Sequence, residues 1–279
     1  MSTPIQSMID LRPIGTIARK ELRDRLRSRW VLAVAAVFAC FALVIAYFGA
    51  AQLGAVGFKG MELTIASLTS LVIYLVPLIA LLLGYDAIVG ERERGSLDLL
   101  LTLPITRLEL MLGKYLGLAA ALTVATLGGF GLAGLVLSYG VGLDALYHYG
   151  GFMLSTLLMG FAFLSIALLV SVYASNKVIA SGGAVVLWFV YVLVYDLVLL
   201  GILVATGGQY VGEALPLLLL LNPADVFRIL NVFSLEEART FYGLATIFPD
   251  ALANPWLLGG VMLFWIVAPL AVAYARFRH

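Results

Sequence analysis

Polar and apolar positions along this chain fall into long blocks. Six stretches, residues 30–50, 63–84, 115–139, 150–173, 178–205 and 255–274, are almost free of charge. About 20 apolar residues cross a bilayer core, so the pattern predicts six transmembrane helices in one domain covering 1–279, an all-α membrane protein. Ala174, Ser175, Asn176 and Lys177 alone separate the fourth span from the fifth. Pro77 predicts a kink in the second span. The fifth span is exceptional because it carries Asp196, with Tyr191 and Tyr195 close by.

Three polar blocks interrupt the spans. Over residues 13–29, Ile14, Ile17, Ala18, Leu22 and Leu26 recur at helical spacing among lysines and arginines. That predicts a basic amphipathic helix lying on an anionic membrane face, an elbow before the first span. Asp10, Glu21 and Asp24 argue against a cleaved signal peptide. Residues 85–114 mix both signs of charge with a run of leucines. Ser96 is placed to cap a short helix, Pro104 to end it and Thr106 to start another. Leucines on a charged loop need cover, so the loop reads as a docking surface.

The third block is residues 206–254. LPLLLLLNP, bracketed by Pro216 and Pro223, is too short to span and predicts a re-entrant or interfacial half-helix. Asn222 before Pro223 reads as a helix start, and Ser234 to Glu237 as a capping box. Asp225, Arg228 and Asn231 follow at three-residue spacing, on one helical face beside Val226, Phe227, Ile229 and Leu230. We expect an exposed polar rim there that binds a partner protein on the outer side.

Composition agrees with the pattern: 63% hydrophobic, 12% charged and a mean hydropathy of +1.06. Average soluble domains carry about 25% charged residues. A net charge of +1 speaks against a nucleic-acid partner. The lone cysteine, Cys40, excludes a disulfide framework. Fourteen of the 17 lysines and arginines fall in the N-terminal segment, the 85–114 loop, Lys177 and the C-terminal end, leaving Lys59, Arg228 and Arg239 opposite. By the positive-inside rule both termini and the 85–114 loop are cytoplasmic and 206–254 lies outside. No nucleotide-binding motif is present, and His148 and His279 make no metal-ligand pair, so no cofactor or metal is expected. Met153 and Met159 near His148 are soft donors, but methionine in a membrane helix is ordinarily packing. Asp196 requires a polar partner or a cavity, and it and Tyr195 are the candidates for a pathway or gate. The bland reading of Asp196 is a polar bond between helices.

The loop runs E-x-E-x-G-S-L-x-L-L-L-x-x-P-I-x-R-x-x-x-x-x-G-K, through Glu91, Glu93, Gly95, Ser96, Leu97, Leu99, Leu100, Leu101, Pro104, Ile105, Arg107, Gly113 and Lys114. With an elbow helix and six spans it resembles an ABC-2-type permease. Within that family IARKEL (17–22), PLIALLLGYDAIVGERERGSL (77–97), YDLVLL (195–200) and LLLLLNPADVFRILN (217–231) are most similar to the membrane subunit of the nitrous-oxide reductase maturation (nos) ABC transporter. The resemblance implies a homodimer in the bacterial inner membrane and two cytoplasmic ABC ATPase subunits. It also implies a periplasmic partner protein and a role in copper-site assembly. The chain itself would be non-catalytic. Glu91, Glu93, Gly95, Leu97, Leu99, Leu100, Pro104 and Arg107 are then the ATPase-coupling residues. Two readings stay open beside it: an ABC-2 exporter of lipid, drug or polysaccharide, and an intramembrane enzyme built on Asp196.

Overall fold

The computed structural model describes residues 10–48, 61–141, 145–207, 214–233 and 254–278. Its elements in order are α1 (Leu11–Arg27), α2 (Trp30–Phe48), α3 (Met61–Gly84), α4 (Val89–Glu93), α5 (Ser96–Leu101), α6 (Arg107–Val141) and α7 (Ala145–Tyr173). α8 (Lys177–Phe189), a π-helical turn (Val190–Val194) and α9 (Tyr195–Ala205) follow, then α10 (Leu215–Leu220), α11 (Pro223–Phe233) and α12 (Pro255–Phe277). No strand occurs among the described residues. Six helical segments are long and apolar enough to cross a membrane, the fifth being α8, the π turn and α9 together.

The six spans match the sequence pattern in number and order, and all but the first extend further at one or both ends. α6 begins at Arg107, so the last part of the expected loop is already helix. Thr106 starts it as expected: its Oγ1 accepts from Glu109 N at 3.2 Å, and Glu109 Oε2 accepts from Thr106 N at 2.7 Å, a capping box. Asn176 caps α8 by accepting from Ile179 N, and Asn254 caps α12 by accepting from Trp256 N. Ser96 does not cap α5. Gly95 holds the N-cap position at φ 69°, a left-handed conformation open to glycine, while the Ser96 hydroxyl turns back to Glu91. The expected capping box at 234–237 lies outside the described residues.

α6 is the spine of the bundle. α1, α2 and α7 pack along it, and α3 and α12 pack along α7. α1, the expected elbow helix, is fitted closely to α6. A Cβ at Gly117 would lie 2.6 Å from Glu21 Cβ and 2.7 Å from Ala18 O, and one at Gly113 would lie 2.7 Å from Ile17 Cβ. Two glycines four residues apart let the backbones approach, which is how helices associate where lipid supplies no hydrophobic drive. Phe38, Phe130, Phe152 and Phe227 form a continuous aromatic file across α2, α6, α7 and α11.

α10 covers the expected half-helix and α11 starts at Pro223 as expected; the two form a short hairpin whose turn reaches deep into the bundle. Asn222 Oδ1 accepts from Ala224 N, capping α11 with Pro223 in its first turn. Asn222 Nδ2 donates to Tyr191 O at 2.8 Å, and Trp265 Nε1 donates to Leu220 O at 3.2 Å. Tyr191 and Trp265 are near the middle of the fifth and sixth spans. Irregular backbone is tolerated at that depth where protein buries it, as here.

Candidate functional site

Two groups of polar residues stand out, one at a bundle end and one at mid-depth. The first is at the end that carries α1 and the last turn of α12. There Lys114 Nζ donates to Glu91 Oε1 at 3.0 Å and to Glu21 Oε2 at 3.5 Å. Arg25 pairs with Glu21 at 3.4 Å and Asp86 at 3.2 Å, and Arg94 pairs with Glu91 at 3.5 Å. The Lys114 side chain is only 5% exposed. One network therefore ties α1, α4 and α6 together, and Ser96 brings in α5 through Glu91. Breaking such a buried network by removing one partner costs about 3–5 kcal/mol, because an uncompensated charge remains.

The coupling residues named from sequence divide into inward and outward sets. Glu91 and Leu97 are buried in the chain, so Glu91 serves the network rather than an outer surface. Glu93 Oε1 accepts from Lys177 N at 2.7 Å, at the start of α8. Arg107 Nη1 donates to Phe277 O at 2.6 Å, tying α6 to the end of α12. Arg92 donates to Ala174 O and Val172 O at the end of α7, and the Ser171 hydroxyl accepts from Ile88 N and Val89 N. The bonds of Ile88, Val89, Arg92 and Glu93 fix α4 and its flanks against α7 and the start of α8. What faces outward is Leu99 at 71% exposure and Leu103 at 52%, with Gly95 and Pro104 beside them and Leu100 half-buried. Leu99 on α5 and Leu103 just past its end thus leave an apolar pair exposed beside the charged network.

The second group surrounds Asp196, which has the polar partner its depth demands. Arg228 Nη2 donates to Asp196 Oδ2 at 2.8 Å, and its Nη1 donates to Asp225 Oδ1 at 2.7 Å. Asn222 Nδ2 donates to Asp225 Oδ2 at 2.8 Å. Tyr195 does not serve Asp196; its hydroxyl donates to Leu218 O at 2.6 Å. The π turn immediately before Tyr195 is a local irregularity of the kind found at functional positions.

The polar row on α11 is likewise not an exposed rim. Asp225 and Asn231 are buried, and the Arg228 side chain is 29% exposed. Asn231 Nδ2 donates to Ser155 Oγ on α7 at 3.0 Å and to Phe227 O at 2.8 Å. The three-residue spacing is real, but the face turns into the bundle, where each group finds a polar partner. Sequence reasoning missed Ser155, the Asn222–Tyr191 bond and the Glu21–Lys114 contact, since all depend on helix crossings. The Gly113-x-x-x-Gly117 spacing was a readable sign of a close crossing on α6.

The family described as ABC-2 family transporter protein matches residues 15–279. The chain is 46% identical over 270 residues to the probable ABC transporter permease protein NosY of Stutzerimonas stutzeri, covering 95% of this chain and 98% of that one. It is 48% identical over 272 residues to the probable ABC transporter permease protein NosY of Pseudomonas aeruginosa, with the same coverage. Six apolar spans and near-full-length identity at this level establish that the chain belongs to the ABC-2 family of ABC transporter permeases.

Proposed function

We propose that this permease transmits ATP hydrolysis by separate cytoplasmic ABC ATPase subunits to the outer side of the bacterial inner membrane, in copper-site maturation of nitrous-oxide reductase. The observation that carries the coupling part is the division of labour around α5. Glu91, Arg92, Glu93 and Arg107 bind the loop to the bundle, and Leu99 and Leu103 face out. An ATPase groove that takes these leucines pushes on a mount already joined to α1, α6, α7, α8 and α12. The charge asymmetry puts that end, and both termini, in the cytoplasm. The nos assignment rests on the two curated permeases and on the sequence strings it shares with that system.

The chain acts as a homodimer. Asp196 is 37% exposed at membrane depth, on a span most of whose surface the chain itself does not cover. An ion pair left open to hydrocarbon is costly, so a second copy or a watered pathway between copies covers Asp196 and Arg228. This is the setting in which Asp196 and Tyr195 serve as a pathway or gate. The outer segment 206–254 receives the periplasmic partner, with Asp225, Arg228 and Asn231 anchoring its α11 rather than touching that partner.

The test is nitrous-oxide reductase purified from cells lacking the chain. Copper-deficient reductase, restored by the wild-type gene, is the expected result. Full copper content without the chain defeats the maturation role and leaves an exporter of another substrate.

A further inference from the structure

We propose that a cavity between α5, α7 and the end of α12 binds the phosphate headgroup of an anionic phospholipid. The cavity encloses about 560 Å³. Arg92, Arg107 and Arg276 line it, against Asp98 as its carboxylate. None of the three guanidiniums forms an ion pair among the described residues. The contrast is the neighbouring cavity at the same bundle end. There Lys20, Arg25, Arg94 and Lys114 face Glu21, Asp24, Asp86 and Glu91, an even balance largely closed by ion pairs.

The three arginines are positioned, not loose. Arg92 and Arg107 are anchored on carbonyls at the ends of α7 and α12, and each keeps unused N–H donors. Arg276 lies 5.8 Å over the ring of Tyr173. Guanidinium forks match phosphate geometry.

Depth and lining select an amphiphile. α7 and α12 end at this cavity and α6 begins there, so it lies where span ends meet lipid headgroups. Its walls include Leu97, Leu101, Val172 and Phe277, apolar surface for the glycerol and upper acyl carbons. Basic pockets between spans at a membrane face bind anionic headgroups. The face of α5 used here differs from the docking face, because Leu99 and Leu103 do not line the cavity. The site therefore stands whether or not α5 docks an ATPase.

The experiment is native mass spectrometry of the full chain in mild detergent with an equimolar mixture of phosphatidylglycerol and phosphatidylcholine. Wild type should retain phosphatidylglycerol in preference, and Arg276→Gln should reduce that preference roughly fivefold, one basic group's share. Arg276→Lys, which keeps the charge, should hold most of it. Arg278→Gln, outside the cavity, should leave it unchanged. Equal retention of both lipids by wild type overturns the proposal. So does an equal loss in Arg278→Gln, which would mean general surface charge. Displacement of phosphatidylglycerol by inorganic phosphate at the same concentration overturns the lipid source and leaves a free-phosphate site.

Discussion

Arg228 on α11 stands 2.8 Å from Asp196 on α9 and 2.7 Å from Asp225 on its own helix, so a single guanidinium holds two carboxylates at membrane depth. The contact pins the α10–α11 hairpin to the fifth span. Removing the cation leaves two uncompensated carboxylates, whereas removing Asp196 leaves Arg228 still paired with Asp225. Arg228→Ala should therefore destabilise the chain by about 3 kcal/mol, the low end of the range for a broken buried pair, since Arg228 is partly exposed. Asp196→Asn should cost clearly less. Thermal unfolding in detergent reads both, and equal losses would contradict the one-cation geometry.

Lys114 offers a second test of the same kind. With two carboxylates, Glu21 and Glu91, on one nearly unexposed ammonium, Lys114→Met should cost about 3 kcal/mol or more. Adding Glu91→Gln to Lys114→Met should recover part of that loss, because it removes one of the stranded charges. A double variant as unstable as the sum of the two single ones would show that the groups are not coupled.

The α1–α6 crossing depends on glycine. Gly117→Ala should cost about 1–3 kcal/mol through overpacking against Ala18 and Glu21. Gly182→Ala, with nothing within 4 Å of the added Cβ, should be neutral or stabilising. The comparison is made by melting temperature; equal effects would mean that α1 is not seated on α6 as described.

Sidedness is read by labelling intact cells with an impermeant thiol reagent, after Cys40→Ala. Asp98→Cys, exposed on α5, should stay unlabelled until the cells are opened. Trp256→Cys, exposed at the start of α12 on the opposite end, should label at once. The reverse pattern would invert the topology.

Much of this architecture is legible in the sequence because lipid imposes simple rules. Uncharged stretches of span length mark the helices, and Thr106 with Glu109, or Asn222 with Pro223, mark helix starts by local chemistry. Direction of facing is harder. Glu91 and Glu93 read as outward charges, yet Glu91 finds Lys114 in the interior and Glu93 finds the start of α8. Asp225, Arg228 and Asn231 lie on one face, but periodicity does not tell whether that face meets water or Ser155 and Asp196. These partners lie from 23 to 84 residues away in sequence, and only the folded hairpin and helix crossings bring them together.

We propose that the outward leucines of the α5 region carry the ATPase contact while the buried charges only mount it. The direct measurement is co-purification of the ATPase with tagged permease carrying Leu99→Asp, alone and with Leu103→Asp. A charge placed in an apolar groove should weaken the contact by an order of magnitude or more, while the permease keeps its wild-type melting temperature because both side chains are exposed. Loss of the ATPase with an intact permease is the predicted result. Wild-type ATPase recovery with the double variant would mean that the ATPase docks elsewhere.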